Sequence, residues 1–472
     1  MSLQSLFALA AQHAIAYRDA VGEAAPPRSY AAMRETFDAP TPEQGRAVSE
    51  VIEELVALSS PGLRAMTGSR FFGWVIGASH PAGVAADWLT SAWGQNAGNH
   101  EASPAAAAAE TAAAKWLLDL LDLPREASVG FVTGATVANF VCLAAARGAV
   151  LRRAGWDVEA NGLFGAPPIP VLIGDDAHTS VFSALQFLGL GHDRVVRVAT
   201  DAQGRMLPAA FAHAIAGGHG PAIVITQAGQ LNTGAFDPIE AILPAARERG
   251  AWVHVDGAFG LWARASAAMA HLASGYELAD SWATDGHKWL QTPYDCGYAI
   301  VRDAEAHRRA MTIAASYLPP VADGDRDPTH FVPELSRRAR GFATWAMIRH
   351  LGRAGIAALV EGHCRLATRF AARLVREPGV YVLNDVGLNQ VIVRFGKPEA
   401  DQTADRLTQE TILRLQADGT CFAGGARWRD RWVMRLSVIS APTTEQDIDT
   451  SCQAICAAWR SVAGGNVTAG TL

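Results

Sequence analysis

The sequence predicts an α/β protein with a mainly parallel central sheet, an N-terminal helical segment and a smaller C-terminal α+β domain. Three observations predict it. Short apolar runs at 170–173, 195–198, 222–226, 252–255, 281–284 and 298–301 alternate with helix-like stretches such as 238–249. Strands covered on both faces read as such runs, and alternation with helices implies a parallel sheet. Helical segments precede residue 71, broken at Ala25-Pro26-Pro27 and Pro40-Thr41-Pro42, and from about 341 the alternation gives way to two long helices followed by β-rich runs. The expected division is therefore 1–70, 71–340 and 341–472.

In chain order, Thr41 followed by Glu43-Gln44 reads as a helix start, with a helical apolar rhythm to Leu58 and a stop at Ser59-Ser60-Pro61-Gly62. Residues 110–123 form a strong amphipathic pattern closed by Pro124, and 137–151 is alanine-rich and helical. The C-terminal part predicts helices over 341–350 and 355–376, strands at 381–383, 390–395 and 432–438, and a last helix over 445–462.

Composition bounds the function. Half of the 472 residues are hydrophobic and 18% are charged, as in globular proteins with a large core. A net charge of -6 and a pI near 6.2 argue against nucleic acid or an anionic membrane surface as an obligate partner. The N-terminus lacks a basic region followed by a long apolar stretch, and no window approaches about 18 consecutive apolar residues, so neither a signal peptide nor a membrane span is expected. The cysteines are scattered, only Cys452 and Cys456 lie close, and no neighbouring His or Cys completes a metal site. Free thiols in a reducing cytoplasm are the expectation.

Four segments carry candidate chemistry. Lys288, in Asp285-Gly-His287-Lys288-Trp289, follows an apolar strand. A partly buried ammonium is destabilised, and the neutral amine can attack a carbonyl, although a structural lysine fits the same pattern. Asp256 ends an apolar run and is followed by Gly257-Ala258, so its carboxylate can meet a flat heterocycle edge-on or merely cap a turn. Gly134-Ala135-Thr136 opens a helix after an apolar run, which makes either a phosphate cradle or an ordinary capped start. His178, in Asp176-Ala177-His178-Thr179-Ser180, follows the 170–173 strand and can stack on a planar cofactor, or be a plain loop histidine.

Their order and spacing resemble fold type I pyridoxal-5′-phosphate (PLP) enzymes, and the local wording resembles the group II amino-acid decarboxylases, the family of aromatic-amino-acid and glutamate decarboxylases. The resemblance runs from about Phe71 to Thr444. It rests on Phe71-Phe72-Gly73, Ala102-Ser103-Pro104, Asp176–Ser180, Gly234-Ala-Phe-Asp-Pro238, His254-Val-Asp256, His287-Lys288-Trp289 and Leu335-Ser-Arg-Arg338. It implies that Lys288 holds PLP as a Schiff base, that Asp256 pairs with the pyridine nitrogen, and that His178 and Ala258 lie on the two ring faces. It also implies that Gly134, Ala135 and Thr136 hold the phosphate beside His287. Two departures stand out. Asp285-Gly286 replaces the family's frequent Asn-Pro, and a carboxylate there repels phosphate. Gly229-Gln230-Leu231-Asn232-Thr233 replaces a common Thr-Thr pair, which leaves Gln230 and Asn232 unassigned.

PLP supports several reactions, and the fold does not choose among them. In the resembled decarboxylases a loop tyrosine delivers the final proton, and Tyr317-Leu318 matches it; a tyrosine packed in an interface fits equally. Tyr317 favours α-decarboxylation of an amino acid to its amine and CO2, with an aminotransferase, an aldehyde synthase, a C–C lyase or a catalytically idle binding protein as alternatives. Phe71, Phe72, Trp74, Val75 and Ile76 suit an aromatic or apolar substrate, or a core. Arg435 suits a carboxylate contact or a structural pair. The resemblance further implies a homodimer with active sites at the subunit interface.

Overall fold

The computed structural model describes residues 1–23, 25–312, 326–399 and 401–465. Seven strands form the central sheet: β1 (Ser128–Val132), β2 (Val171–Gly174), β3 (Val196–Val198), β4 (Ile223–Gln227), β5 (Trp252–Asp256), β6 (Ser281–Asp285) and β7 (Gly297–Val301). Their order is β1-β7-β6-β5-β4-β2-β3. Strands β2 to β6 pair in parallel, and β7 runs antiparallel to both β6 and β1. The mainly parallel sheet is as expected. The antiparallel β7 went unread because an apolar run carries no sign of its direction.

The sheet is buried on both faces. Val224, Val253 and Val255 join one core, whereas Ile223, Ile225, Trp252 and Ala283 join the other. This alternation follows from the two-residue period of a strand. Along β5 it puts Trp252, His254 and Asp256 on the same face. That face is covered by helix Ala135–Arg153, which is long and apolar enough to cross a membrane by composition, yet 67% of that stretch is buried inside the protein.

A second sheet has the order β10-β11-β9-β8, built from β8 (Val380–Val382), β9 (Gln390–Phe395), β10 (Gly424–Trp428) and β11 (Arg431–Ser437), all antiparallel. β10 escaped the sequence reading because Gly424-Gly-Ala-Arg has little strand preference. As an edge strand it is paired on one side only. Helix Gly341–Leu374 links the two cores, with Met347, Ile356 and Val360 in the first and Phe370 and Leu374 in the second. It breaks at Gly352 (φ 62°, ψ 176°), between the two helices expected from sequence.

Three N-terminal helices, α1 (Leu3–Ala20), α2 (Tyr30–Phe37) and α3 (Val48–Ser59), bury no residue. Leu3, Phe7, Ile15, Tyr30, Phe37, Val51 and Leu55 are exposed. The helix expected to start near Thr41 begins only at Val48. Pro42 and Gly45 disfavour helix before it, and Arg46 instead reaches forward to Glu50 and Glu54 at 3.4 and 2.5 Å.

Candidate active site

Parallel strands present their carboxyl ends at one edge, and ligands of open α/β sheets gather there. Gln227 ends β4 in register with Asp256 at the end of β5, and Asp285 ends β6 beside them. These ends open into a cavity of about 320 Å³. All eight residues expected to bind a cofactor line it: Gly134, Ala135, Thr136, His178, Asp256, Ala258, His287 and Lys288. Tyr317 lies outside the described residues.

Lys288 is held by its neighbours in the chain. Trp289 is buried and its indole N–H donates to His363 Nδ1 at 2.9 Å. Gln291 donates to the Lys288 carbonyl at 2.9 Å and to Ile439 O at 2.7 Å. Gly77 must be glycine here, because a Cβ would sit 2.4 Å from the Lys288 carbonyl oxygen. Lys288 is partly buried, and Asp285 Oδ2 lies 2.9 Å from its Nζ, a pairing the sequence reading did not include. Asp285 arrives there because β6 ends three residues earlier, which turns its carboxylate back toward the lysine. Its second oxygen, Oδ1, is buried without a partner.

His287 donates from Nδ1 to Cys296 O at 2.7 Å, so Nε2 carries no proton when the ring is neutral. Burial lowers its pKa, opposed by Asp285 and reinforced by Lys288. His178 accepts at Nδ1 from Ser180 N (3.2 Å) and sits 2.8 Å from Ser180 Oγ, which places its proton on Nε2. Burial pushes its pKa down, with Asp256 opposing and Lys288 and Arg435 adding to the fall. Both imidazoles are therefore neutral near pH 7. Asp256 accepts from Ala258 N at 3.2 Å and Asn139 Nδ2 at 3.4 Å.

At the far end, helix Ala135–Arg153 begins without a side-chain cap, so its first backbone N–H groups are left for a ligand. A Cβ on Gly134 would lie 3.2 Å from His287 Cε1 and 3.5 Å from Asp285 Oδ1. Glycine keeps this turn open.

Of the stretch Phe71, Phe72, Trp74, Val75 and Ile76, Val75 alone lines the cavity, and Thr133, Ser180, Gln227, Gly229, Leu231 and Phe259 line it without a role assigned from sequence. Gln227 Nε2 is buried without a partner. Its signal was its place at a strand end in register with Asp256. Phe72 packs in the C-terminal core and Phe71 stacks on Phe422 at 4.9 Å. Gln230 accepts from Asn232 N and Thr233 N of its own loop at 2.6 and 3.0 Å and donates to Asp176 O of the His178 loop at 3.0 Å. Asn232 is buried and does not line the cavity. Arg435 is buried with Nε and Nη2 unpartnered, and desolvation brings its pKa down to about 10. Among the described residues, no cluster of three His, Cys, Asp or Glu side chains could hold a metal ion.

A family model described as the pyridoxal-dependent decarboxylase conserved domain matches residues 31–395. The chain belongs to that family. Within it, an L-2,4-diaminobutyrate decarboxylase from Rhizobium meliloti (strain 1021) is 31% identical over 88% of this chain and 83% of the relative. Tryptophan decarboxylase 1 from Oryza sativa subsp. japonica is 28% identical over 90% and 86% of the two chains. The crystal structure of Oryza sativa TDC with PLP and tryptamine superposes with a TM-score of 0.90 at 25% identity, covering 97% of this chain and 98% of that one. The fold is that of the fold type I PLP enzymes, the cofactor is PLP, and the chemistry is that of an amino-acid carboxy-lyase.

The cavity suits that cofactor. It offers an amine at Lys288, a carboxylate at Asp256, the unpartnered amide of Gln227 and open N–H groups beside Gly134. Only Asp285, a second carboxylate beside the cradle, runs against a phosphate.

Proposed function

We propose that this chain decarboxylates an L-amino acid with an aromatic or apolar side chain to its amine and CO2, with Lys288 as the amine that holds the cofactor. The observation that carries this reading is the convergence of Lys288, Asp256, His178 and the uncapped helix at Gly134 on one cavity. PLP supplies an electron-withdrawing pyridinium ring that stabilises charge developing at the substrate's α-carbon.

The side chains divide the remaining work. Gly134, Ala135 and Thr136 hold the phosphate through backbone N–H groups and a hydroxyl, and the neutral His287 sits beside them. Asp256 would pair with the pyridine nitrogen and hold a proton there. His178 and Ala258, both lining the cavity, would flank the two faces of the ring. Arg435, whose guanidinium has unused donors, takes a substrate carboxylate. Tyr317 delivers the proton that replaces the carboxylate at the α-carbon.

Val75, Leu231 and Phe259 give the cavity an apolar wall, which supports the aromatic or apolar preference. A cationic side chain is the second reading, favoured by the 31% identity with a diaminobutyrate decarboxylase. The exposed apolar residues of α1 to α3 support a homodimer whose partner covers them, and sedimentation velocity tests that assembly. We place the enzyme in the cytoplasm, a reading supported by six free cysteines.

The test is a panel of L-tryptophan, L-tyrosine, L-phenylalanine and L-2,4-diaminobutyrate with PLP, reading CO2 and amine together. Equal amounts of CO2 and aromatic amine are expected. A keto acid or aldehyde without amine overturns the decarboxylase reading.

A further inference from the structure

The face of β5 that carries Asp256 also carries His254 and Trp252, and all three meet helix Ala135–Arg153 or β6 through polar atoms. Trp252 Nε1 donates to Ser281 Oγ at 2.8 Å. Ser281 Oγ lies 2.9 Å from His254 Nδ1, and His254 Nε2 lies 2.8 Å from Asn139 Oδ1. Asn139 Nδ2 reaches Asp256 Oδ2 at 3.4 Å. Asn139, His254 and Ser281 are each 0% exposed.

These contacts have one consistent direction. The Asn139 carbonyl oxygen can only accept, so the neutral His254 ring holds its one proton on Nε2, and its bare Nδ1 takes the hydrogen of Ser281 Oγ, which accepts from the Trp252 indole. His254 then carries its proton on Nε2 and gives it to the Asn139 carbonyl, leaving the Asn139 amide to donate to Asp256. Burial supports the neutral ring, with the His254 pKa pushed down to about 3. The chain of donors ends on a carboxylate that is itself only 6% exposed. An ionised carboxylate at such depth needs donors to hold its charge and direction.

We propose that Asn139 and His254 are positioning residues for the electron sink: a Trp252–Ser281–His254–Asn139 relay that holds the Asp256 carboxylate aimed at the cofactor's pyridine nitrogen. The inference rests on the assignment of Asp256 made above. Neither residue lines the cavity; His254 acts through Asn139, whose Nδ2 is shared between Asp256 Oδ2 and Ser180 Oγ, each at 3.4 Å.

The test uses holoenzyme prepared with PLP labelled with 15N in the ring, at one fixed pH. Wild type should bind PLP and give a resonance at the protonated-pyridine position. Asn139→Leu, of similar size without donors, should move that resonance toward neutral pyridine and weaken PLP about tenfold, as expected for losing a hydrogen bond to a charged group. His254→Phe should act in the same direction, and His254→Gln, which keeps an N–H for Asn139, should largely restore both readouts. Ser281→Ala, distant from the cofactor, is the milder variant should Asn139→Leu fail to fold, with a smaller shift of the same sign. Lowered thermal stability with an unmoved resonance would assign the relay to packing and overturn the proposal. A wild-type protein that binds no PLP overturns the functional reading as well, whereas a normal wild type with unaffected variants sinks the relay alone.

Discussion

Neighbouring strands β5 and β6 each end in a buried aspartate, and the two are treated differently. Asp256 receives N–H donors from Ala258 and Asn139, with a hydrogen-bonded line behind it. Asp285 has the Lys288 ammonium on one oxygen and nothing on the other. The first carboxylate is braced from behind and open toward the cavity. The second is tied to a group that must change its bonding when the cofactor arrives. Position at a strand end does not fix a role; the donors around the carboxylate do.

The largest expected effect comes from the amine that both ends serve. Lys288→Ala should lose visible absorbance near ~420 nm and slow turnover by about a thousandfold or more, since it removes the covalent anchor. Retained colour and rate would rule out Lys288 as the anchor. Asp256→Ala should cost about a hundredfold to a thousandfold in kcat, the range for removing a preorganised electrostatic group, with a smaller change in KM. Asp285→Asn should instead tighten PLP by roughly threefold to tenfold, because it removes a charge beside the phosphate while keeping the shape. Weaker PLP binding in that variant would show that Asp285 helps the cofactor rather than opposing it.

The smallest effect concerns stability. His254 and His307 have pKa values pushed down to about 3, and His363 to about 4, by burial. Folded-state values below the unfolded value near 6.5 mean that the unfolded chain takes up protons first as pH falls. Stability should be level above pH 7 and decline from about pH 6.5 down through 4. His254→Gln should flatten part of that decline in thermal melts across pH. A decline unchanged by this substitution would remove His254 from the account of acid sensitivity.

Much of this was legible in the sequence, for a physical reason. Buried parallel strands must be apolar runs, and the groups that face the cavity at their ends interrupt those runs with a charge or a ring, as at Asp256, His178 and Lys288. Asp285 was legible as an oddity, but its pairing with Lys288 was not, because a turn decides it. Gln227 and Asn139 were missed since amides inside apolar segments look like weak points of a core. Their meaning comes only from neighbours distant in sequence, Asp256 for Gln227 and His254 for Asn139. Gln230 attracted attention at a family-variable site, and its hydrogen bonds tie its own loop to Asp176 O, two residues before His178.

The chain contains three lysines, Lys115, Lys288 and Lys397, and Lys115 and Lys397 are exposed. Reducing the PLP-loaded protein with borohydride and mapping the labelled peptide therefore tests the anchor directly. The account predicts one pyridoxyl group per chain, on Lys288 in the peptide carrying His287 and Trp289. Labelling of Lys115, Lys397 or the N-terminal amine with Lys288 left free would contradict it.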